Sequence, residues 1–476
     1  MINSHIATQI YNNFGFQPTL EQKNVINSLS EYISTSNEGD IFIINGYAGT
    51  GKTTIIAALV ATLDFLSIEY SLLAPTGRAA KVMSQYSGKN AHTIHKKIYR
   101  RRSAGASGGT FALAPNKSVD AIFIVDEASM LSNDSFDSSS FGTGCLLDDL
   151  LEYINSGDRN RLILVGDNAQ LPPVGLDYSP ALNGEYMCKY GTVYYHTLKE
   201  VVRQAKDSAI LLNATDLRSS IEQETVCLPH FELSDKQVVR ITGSELIESL
   251  EDSYRQVGRE DTIIITRSNK RANIFNNGVR ARVLELEEQL TAGDMIMIVK
   301  NNYYYTAQDK ECKIDFIANG DIAIVERVLS HRDIYGFHYA SVRLRLPDYD
   351  DYTFEALVLL DTLQSESPSL TRDQSSQLFS TIEQDYADIG EKRKRYARIM
   401  QNPYFNALQI KFSYAVTCHK AQGGQWQHVY LDQMIFGSES MTRDFQRWLY
   451  TALTRARTRL YLINWHDSFF DNPPTE

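Results

Sequence analysis

Residues 46–53 read Gly46-Tyr47-Ala48-Gly49-Thr50-Gly51-Lys52-Thr53, a complete G-x-x-x-x-G-K-[ST] pattern. That pattern carries chemistry only between a strand and a helix. Here the apolar run Ile41–Asn45 (IFIIN) precedes it and the helical stretch Lys52–Leu66 follows. Glycines let backbone N–H groups face phosphate oxygens with no Cβ in the way, and the helix N-terminus adds a favourable dipole. Lys52 is placed to reach the β- and γ-phosphates, and the Thr53 hydroxyl to bind Mg²⁺. ATP and Mg²⁺ are therefore the expected cofactors, with Gly46, Ala48, Gly49, Thr50, Gly51, Lys52, Thr53 and Thr54 around the nucleotide. A chance glycine-rich turn would leave the flanking strand and helix unexplained.

Two further segments extend the site. Asp126-Glu127 follows the buried-strand run Ala121–Val125 (AIFIV). Asp126 can hold Mg²⁺, and Glu127 can polarise an attacking water as general base; a lone Asp-Glu pair would read as a solvated strand end. Gly166–Val174 (GDNAQLPPV) follows another apolar run, Arg161–Val165 (RLILV). Its Gln170 is a candidate sensor of the γ-phosphate, although a Pro-rich surface turn is the simpler reading of that segment alone.

Outward from these, Tyr70–Ala74 is a further central strand, and the strand–helix alternation predicts a doubly wound parallel α/β sheet. The pattern returns at Thr262–Thr266, Ser413–Thr417, His428–Leu431 and Arg459–Ile463. Between these lie runs with the alternation of half-exposed strands: Gly293–Val299, Asp321–Leu329, Tyr339–Leu346 and Tyr352–Leu359. Asn319-Gly320 is a favoured hairpin turn. Roughly 288–365 therefore reads as a small antiparallel β module inserted into a second α/β domain. Ser103–Gly109, Ser132–Gly144 and Gln364–Ser376 read as loops, the last equally as the start of a surface helix.

The chain has 476 residues, more than one core accommodates, since single domains stop growing near ~250–300 residues. No run approaches the ~20 apolar residues that span a bilayer, and the N-terminus shows no signal-peptide pattern. Five scattered cysteines (145, 188, 227, 312 and 418) form no C-x-x-C pair. They fit a reducing cytosol, and most read as small buried hydrophobes. The formal charge of −11 neither advertises nor excludes a polyanionic partner, because a locally positive channel suffices.

Taken in order, nine segments resemble the motifs of superfamily 1 helicases, particularly the RecD-like branch with the phage Dda-type enzymes (branch 1B). Thr19–Gln22 resembles the adenine-reading Q motif, residues 46–53 motif I, Ala74–Lys81 motif Ia and His92–His95 the next DNA-contact motif. DEASM at 126–130 resembles motif II, GDNAQLPPV motif III, Leu198–Arg203 motif IV, Tyr414–Gly423 motif V and Tyr450–Arg457 motif VI. They span roughly 19–463, nearly the whole chain.

The resemblance implies two RecA-like P-loop NTPase domains with ATP between them. A small β-hairpin is inserted in the first and an SH3-like β-barrel in the second. The implied boundaries are 1–195 for the first domain with a pin at 96–118, 196–287 plus 411–476 for the second, and 288–410 for the barrel with a polar, helical extension. Gln22, Gly424 and Gln425 join the nucleotide set, and Arg203 and Arg455 become arginine fingers. Pro75, Thr76, Thr93 and His95 on one domain, with Thr417, His419 and Lys420 on the other, hold single-stranded DNA. Relatives often carry Glu where this chain has Gln425, a residue that meets the nucleotide sugar; Gln keeps donor and acceptor but loses the charge.

The implied activity is ATP-driven 5′-to-3′ movement on single-stranded DNA with duplex unwinding at single-strand/duplex junctions. A monomer, a cytoplasmic location, no membrane contact and occasional single-strand-binding or replication/repair partners go with it. The rival readings are an RNA- or RNP-remodelling helicase and a P-loop switch acting on protein partners. The His92/His95 spacing is not read as metal-binding, since no further Cys or His ligand lies near. The basic run His95–Arg102 fits the pin; the Lys392–Arg398 run reads equally as a solvated helix face. Tyr303–Tyr305 reads as packing within the β module.

Overall fold

The computed structural model describes residues 2–101, 111–133, 142–202, 208–223, 225–306, 316–433 and 441–470. The loop expected at Ser103–Gly109, most of that at Ser132–Gly144, Cys312 and the motif IV residue Arg203 lie outside the described residues.

The first lobe is a six-stranded parallel sheet ordered β3-β2-β6-β7-β1-β8. Its strands are β1 (Ile41–Gly46), β2 (Tyr70–Ala74), β3 (Ala91–Thr93), β6 (Ile122–Val125), β7 (Arg161–Gly166) and β8 (Val193–Leu198). A separate two-stranded ribbon, β4 (Tyr99–Arg101) and β5 (Phe111–Leu113), branches from it. The helices are α1 (Ile2–Phe14), α2 (Leu20–Thr35), α3 (Lys52–Phe65), α4 (Gly77–Ser87), α5 (Ile94–Ile98), α6 (Leu146–Asn155) and α7 (Gly184–Met187). Strand periodicity of two sorts the apolar runs onto both faces. Phe42, Ile44, Ile122, Ile124, Ile163 and Val165 pack under α1–α3. Ile41, Ile43, Phe123, Val125, Leu162 and Leu164 pack on the other face with α6.

The second lobe repeats this with five parallel strands ordered β16-β10-β17-β18-β9. These are β9 (Val238–Ile241), β10 (Thr262–Thr266), β16 (Ala415–Thr417), β17 (Trp426–Asp432) and β18 (Ala456–Ile463). Its helices are α8 (Ala209–Glu222), α9 (Leu246–Gln256), α10 (Asn269–Gly278), α13 (Cys418–Ala421) and α14 (Arg443–Leu453). One face packs on α8 and α14, and that core extends to Tyr47, Ala169 and Leu171 of the first lobe. The other face shares its core with a closed barrel.

The barrel strands are β11 (Met295–Ile298), β12 (Ile322–Ile334), β13 (Phe337–Leu346), β14 (Tyr352–Leu359) and β15 (Leu408–Phe412). The pairings are antiparallel except for a short parallel β14–β15 contact. Strand β15 runs across the 410/411 boundary expected from sequence. Between β14 and β15, α11 (Arg372–Gln384) and α12 (Lys392–Ile399) pack on Phe337, Tyr339 and Leu359. A buried bidentate pair, Arg280 to Asp294 at 2.8 and 2.9 Å, joins lobe to barrel, and the Tyr414 hydroxyl also donates to Asp294 (3.1 Å).

Three expectations need correction. The two-residue hairpin turn is not Asn319-Gly320, which leads into β12 after a long excursion from β11. It is Tyr335-Gly336, where both residues have positive φ (57° and 76°), as a type I′ turn requires. Among the described residues the cysteines are mostly not buried: Cys418 is, but Cys188 and Cys227 are exposed and Cys145 half-buried. Among Tyr303–Tyr305, Tyr305 does pack within the barrel, its hydroxyl accepting from Leu357 N (2.9 Å). Tyr303 instead reaches the first lobe, its ring 4.1 Å from that of Phe111.

Burial pushes the Asp321 carboxyl from 3.8 up to about 7, even though Ala318 N–H and the Tyr349 hydroxyl bond it. Between those two values the folded chain holds a proton that the unfolded chain releases. Stability from this group therefore falls as pH rises through that window, by up to about 4 kcal/mol. Chemical denaturation at pH 5 and pH 8 should show more than half of this loss in the wild type and a smaller one in Asp321→Asn.

Candidate active site

The phosphate loop joins β1 to α3, with Gly49 and Gly51 at φ +75° and +85°. Lys52 folds back across it, its Nζ donating to Tyr47 O (2.9 Å) and Gly46 O. A Cβ on Gly46 would sit 2.9 Å from Lys52 Cγ, so the glycine gives the lysine stem its passage. Gln22 braces the loop from behind. In the capping box of α2 its Oε1 accepts from Thr19 N (2.9 Å), and its Nε2 donates to Thr50 O (2.9 Å). Of the amide assigned to adenine, one end is thus engaged in capping α2 and the other in holding the loop.

At the end of β6, Asp126 accepts from the Tyr86 hydroxyl at Oδ2 and from Glu127 N–H at Oδ1, both at 2.8 Å. Burial, with the neighbouring Glu127 charge adding to it, raises its carboxyl to about 6. Glu127 itself has left-handed backbone (φ 53°, ψ 36°). For a non-glycine residue this costs on the order of 1–3 kcal/mol, and such strain clusters at working sites. Gln170 is only 6% exposed, and its side-chain oxygen has no hydrogen-bond partner. A buried acceptor left open is costly, and one that faces a ligand cleft is available to that ligand.

The second lobe completes the cleft. Gly423, Gln425, Thr454, Arg455 and Arg457 line it together with Lys52, Thr53, Thr54, Asp126, Glu127 and Gln170. Arg455 is 3% exposed, and one guanidinium nitrogen lies 3.7 Å from a Glu127 carboxylate oxygen. Its orientation is fixed from its own lobe, by donation to Thr451 O (3.0 Å), Gly424 O (3.2 Å) and Thr454 Oγ1 (3.2 Å). One turn back on α14, the buried Tyr450 hydroxyl accepts from Ala48 N–H (2.9 Å) and donates to Asp167 Oδ2 (2.7 Å). Thr451 Oγ1 accepts from Leu171 N–H (2.8 Å), and Gln422 Nε2 donates to Leu171 O (2.8 Å). Sequence reading found Arg455 but missed Tyr450, Asp167 and Tyr86.

The oxygen donors Thr53 and Asp126 share this cleft, and a hydroxyl with a carboxylate is the set a hard divalent cation takes beside phosphates. The residues present fit Mg²⁺.

Comparison with known proteins finds relatives over most of the chain. A family model described as an AAA domain matches residues 21–228, and one described as a UvrD-like helicase C-terminal domain matches 412–463. A solved structure concerning DNA unwinding at forked duplexes by two coordinating Pif1 helicases aligns over 96% of this chain and 95% of that one, at 15% identity and a TM-score of 0.48. The ATP-dependent RecD2 DNA helicase of Deinococcus radiodurans is 23% identical over 88% of this chain and 46% of its own length. The ATP-dependent DNA helicase dda of Enterobacteria phage T4 is 27% identical over 58% of this chain and 60% of its own length. In these matches the chain is similar to the RecD- and Dda-like superfamily 1 helicases. It spans about half the length of these two relatives.

The positions expected from sequence to hold a strand sit at strand ends and helix starts of both lobes. Thr76 follows β2, while Thr93 and Thr417 end β3 and β16, and each stands at the N-cap of the next helix. Thr76 and Thr93 accept from Ala79 N–H and Lys96 N–H, both at 3.2 Å, which leaves each hydroxyl proton to donate elsewhere. Thr417 makes no such cap bond. The two lobes meet here: a Cβ on Gly423 would lie 3.2 Å from Thr76 Oγ1. Burial pushes His95 down to about 4, so its ring is uncharged at neutral pH. Pro75 is half-buried beside Thr76, His419 is exposed, and Lys420 donates to Asn319 of the barrel side.

Proposed function

We propose that this chain is an ATP-dependent DNA helicase that moves 5′ to 3′ along single-stranded DNA and separates duplexes at junctions. The observation that carries the reading is Arg455: a buried arginine from the second lobe, held beside Glu127 in the cleft that contains Lys52. Such an arrangement delivers positive charge to the transferring phosphoryl group only when the lobes approach. Lys52 holds the β/γ-phosphates, Glu127 takes the proton of the attacking water, and Gln170 orients the terminal phosphate and that water. Thr53 and Asp126 would hold Mg²⁺, which neutralises developing charge when bound. Arg203 is assigned as a second finger by its place in motif IV.

In this reading residues 1–195 form the first RecA-like domain, 196–287 with 411–476 the second, and 288–410 an SH3-like barrel with its helical extension. Pro75, Thr76, Thr93, His95, Thr417, His419 and Lys420 grip the strand by contacts that ignore sequence. Opening and closing of the cleft moves the two grips relative to each other, which ratchets a monomer along the strand. No helix among the described residues is long and apolar enough to cross a membrane, and we assign the chain to the cytoplasm.

Unwinding of 5′-tailed against 3′-tailed DNA duplexes with ATP tests the proposal; activity on the 5′-tailed substrate alone is expected. Preference for RNA strands, or ATPase indifferent to any strand, would favour the RNA-remodelling or protein-switch readings instead. The β4–β5 ribbon is the proposed duplex-splitting pin. Deleting residues 96–118 should leave strand-stimulated ATPase in place while unwinding falls; undiminished unwinding would remove the pin assignment.

A further inference from the structure

We propose that helix α4 is the lever that reports strand occupancy to the metal-binding carboxylate, with the Tyr86 hydroxyl as the positioning contact at its working end. The inference rests on the reading of Thr76 as a strand contact. Thr76 caps the helix at one end through its bond to Ala79 N–H. At the other end Tyr86 donates to Asp126 Oδ2 at 2.8 Å. Ala79 and Val82, one turn apart on the intervening face, line the nucleotide cleft itself. Eleven residues of α-helix span about 16 Å and carry a displacement of the cap to the tyrosine with little loss.

The helix is gripped from outside the first lobe as well. The Arg78 guanidinium lies 4.1 Å from the Trp426 ring centre and donates to Gln425 O (3.1 Å). Lys81 pairs with Asp348 of the barrel at 2.7 Å. Against Gly77, a Cβ would meet Asp321 Oδ1 at 2.7 Å and the Tyr349 hydroxyl at 2.9 Å. The second lobe, at Gln425 and Trp426 just past motif V, and the barrel therefore both bear on α4, while its last turn holds Asp126. Because Glu127 N–H occupies Oδ1 and Tyr86 occupies Oδ2, the phenol fixes the rotation of the carboxylate. Partners of metal-binding carboxylates that act in this way are worth about 10–100-fold in metal affinity or activity.

Tyr86→Phe in the full chain keeps the ring packing and removes only this bond. Three measurements test it: ATPase with and without an oligo(dT) strand, oligo(dT) affinity, and the Mg²⁺ dependence of fluorescent ADP binding. Strand stimulation and apparent Mg²⁺ affinity should each fall about tenfold, with oligo(dT) affinity, the KM for ATP at saturating Mg²⁺ and the melting temperature unchanged. A wild type indifferent to the strand would defeat the helicase reading and the lever with it. A stimulated wild type matched by Tyr86→Phe in both stimulation and Mg²⁺ dependence would defeat the lever alone. Loss of oligo(dT) affinity in the variant would place Tyr86 in the strand site and likewise overturn it.

Discussion

Replacing Lys52 with alanine is expected to lower kcat for ATP hydrolysis by about 10²–10³-fold, the cost of removing one preorganised donor to transition-state charge, and to leave the fold intact. The two halves of that expectation have separate grounds. Among the described residues Lys52 Nζ bonds only the carbonyls of Gly46 and Tyr47, and Tyr47 O keeps the Thr50 hydroxyl as a donor (2.7 Å) when the lysine is gone. The net loss per hydrogen bond is about 1 kcal/mol, too little to unfold the lobe. The catalytic half follows from position: the ammonium swings from those carbonyls to the phosphates without any change in the loop, because Gly46 already gives the stem its passage. Lys52→Arg should not rescue, since a planar fork does not fit a site shaped for a compact point charge. Steady-state ATPase with a saturating strand, alongside thermal melting, reads both halves. Near-normal turnover in Lys52→Ala would falsify the phosphate-site assignment.

The parts of this molecule legible in the sequence are those whose chemistry is local. The phosphate loop, Asp126-Glu127 and the central strands announce themselves by fixed spacing or by runs of four to six apolar residues, and β2, β10 and β14 fall on the residues expected. Edge strands do not: Val193–Leu198 (VYYHTL) is half exposed along most of its length, so its run lacks the uniform apolarity of a buried strand. Contacts between lobes were invisible for a different reason. The Ala48–Tyr450 bond joins residues 402 apart, and no periodicity links them. Gln22 was read through its family role, yet Thr19-x-x-Gln22 before an apolar helix is also the capping-box pattern, and that local signal carried the hydrogen bonds observed. The Asn319-Gly320 error came from weighing turn composition without strand register: Tyr335-Gly336 lies between two long paired strands, and the pairing selects the turn.

Arg455→Ala should cost more than Lys52→Ala, about 10³-fold or more in kcat, because it removes both a finger and the partner of the general base. Two roles have to be separated here. As a structural ion pair, Arg455 would serve Glu127 in every nucleotide state, and its loss would weaken ADP and triphosphate alike. As a finger, it gains a contact only when a terminal phosphate is present, so it biases the lobes towards closure by that differential affinity alone. The surroundings favour the second role. Three of its hydrogen bonds come from its own lobe, which hold the guanidinium in place whether or not Glu127 is engaged, and the 3.7 Å separation from Glu127 is longer than a tight charge-assisted hydrogen bond. Arg455→Ala should accordingly bind fluorescent ADP as the wild type does and lose the preference for a non-hydrolysable triphosphate analogue. Arg455→Lys keeps the charge without the fork and should fall between the two. Equal weakening of ADP and analogue in Arg455→Ala would make Arg455 a strut of the cleft, and the closure of the two lobes on the terminal phosphate would need another agent.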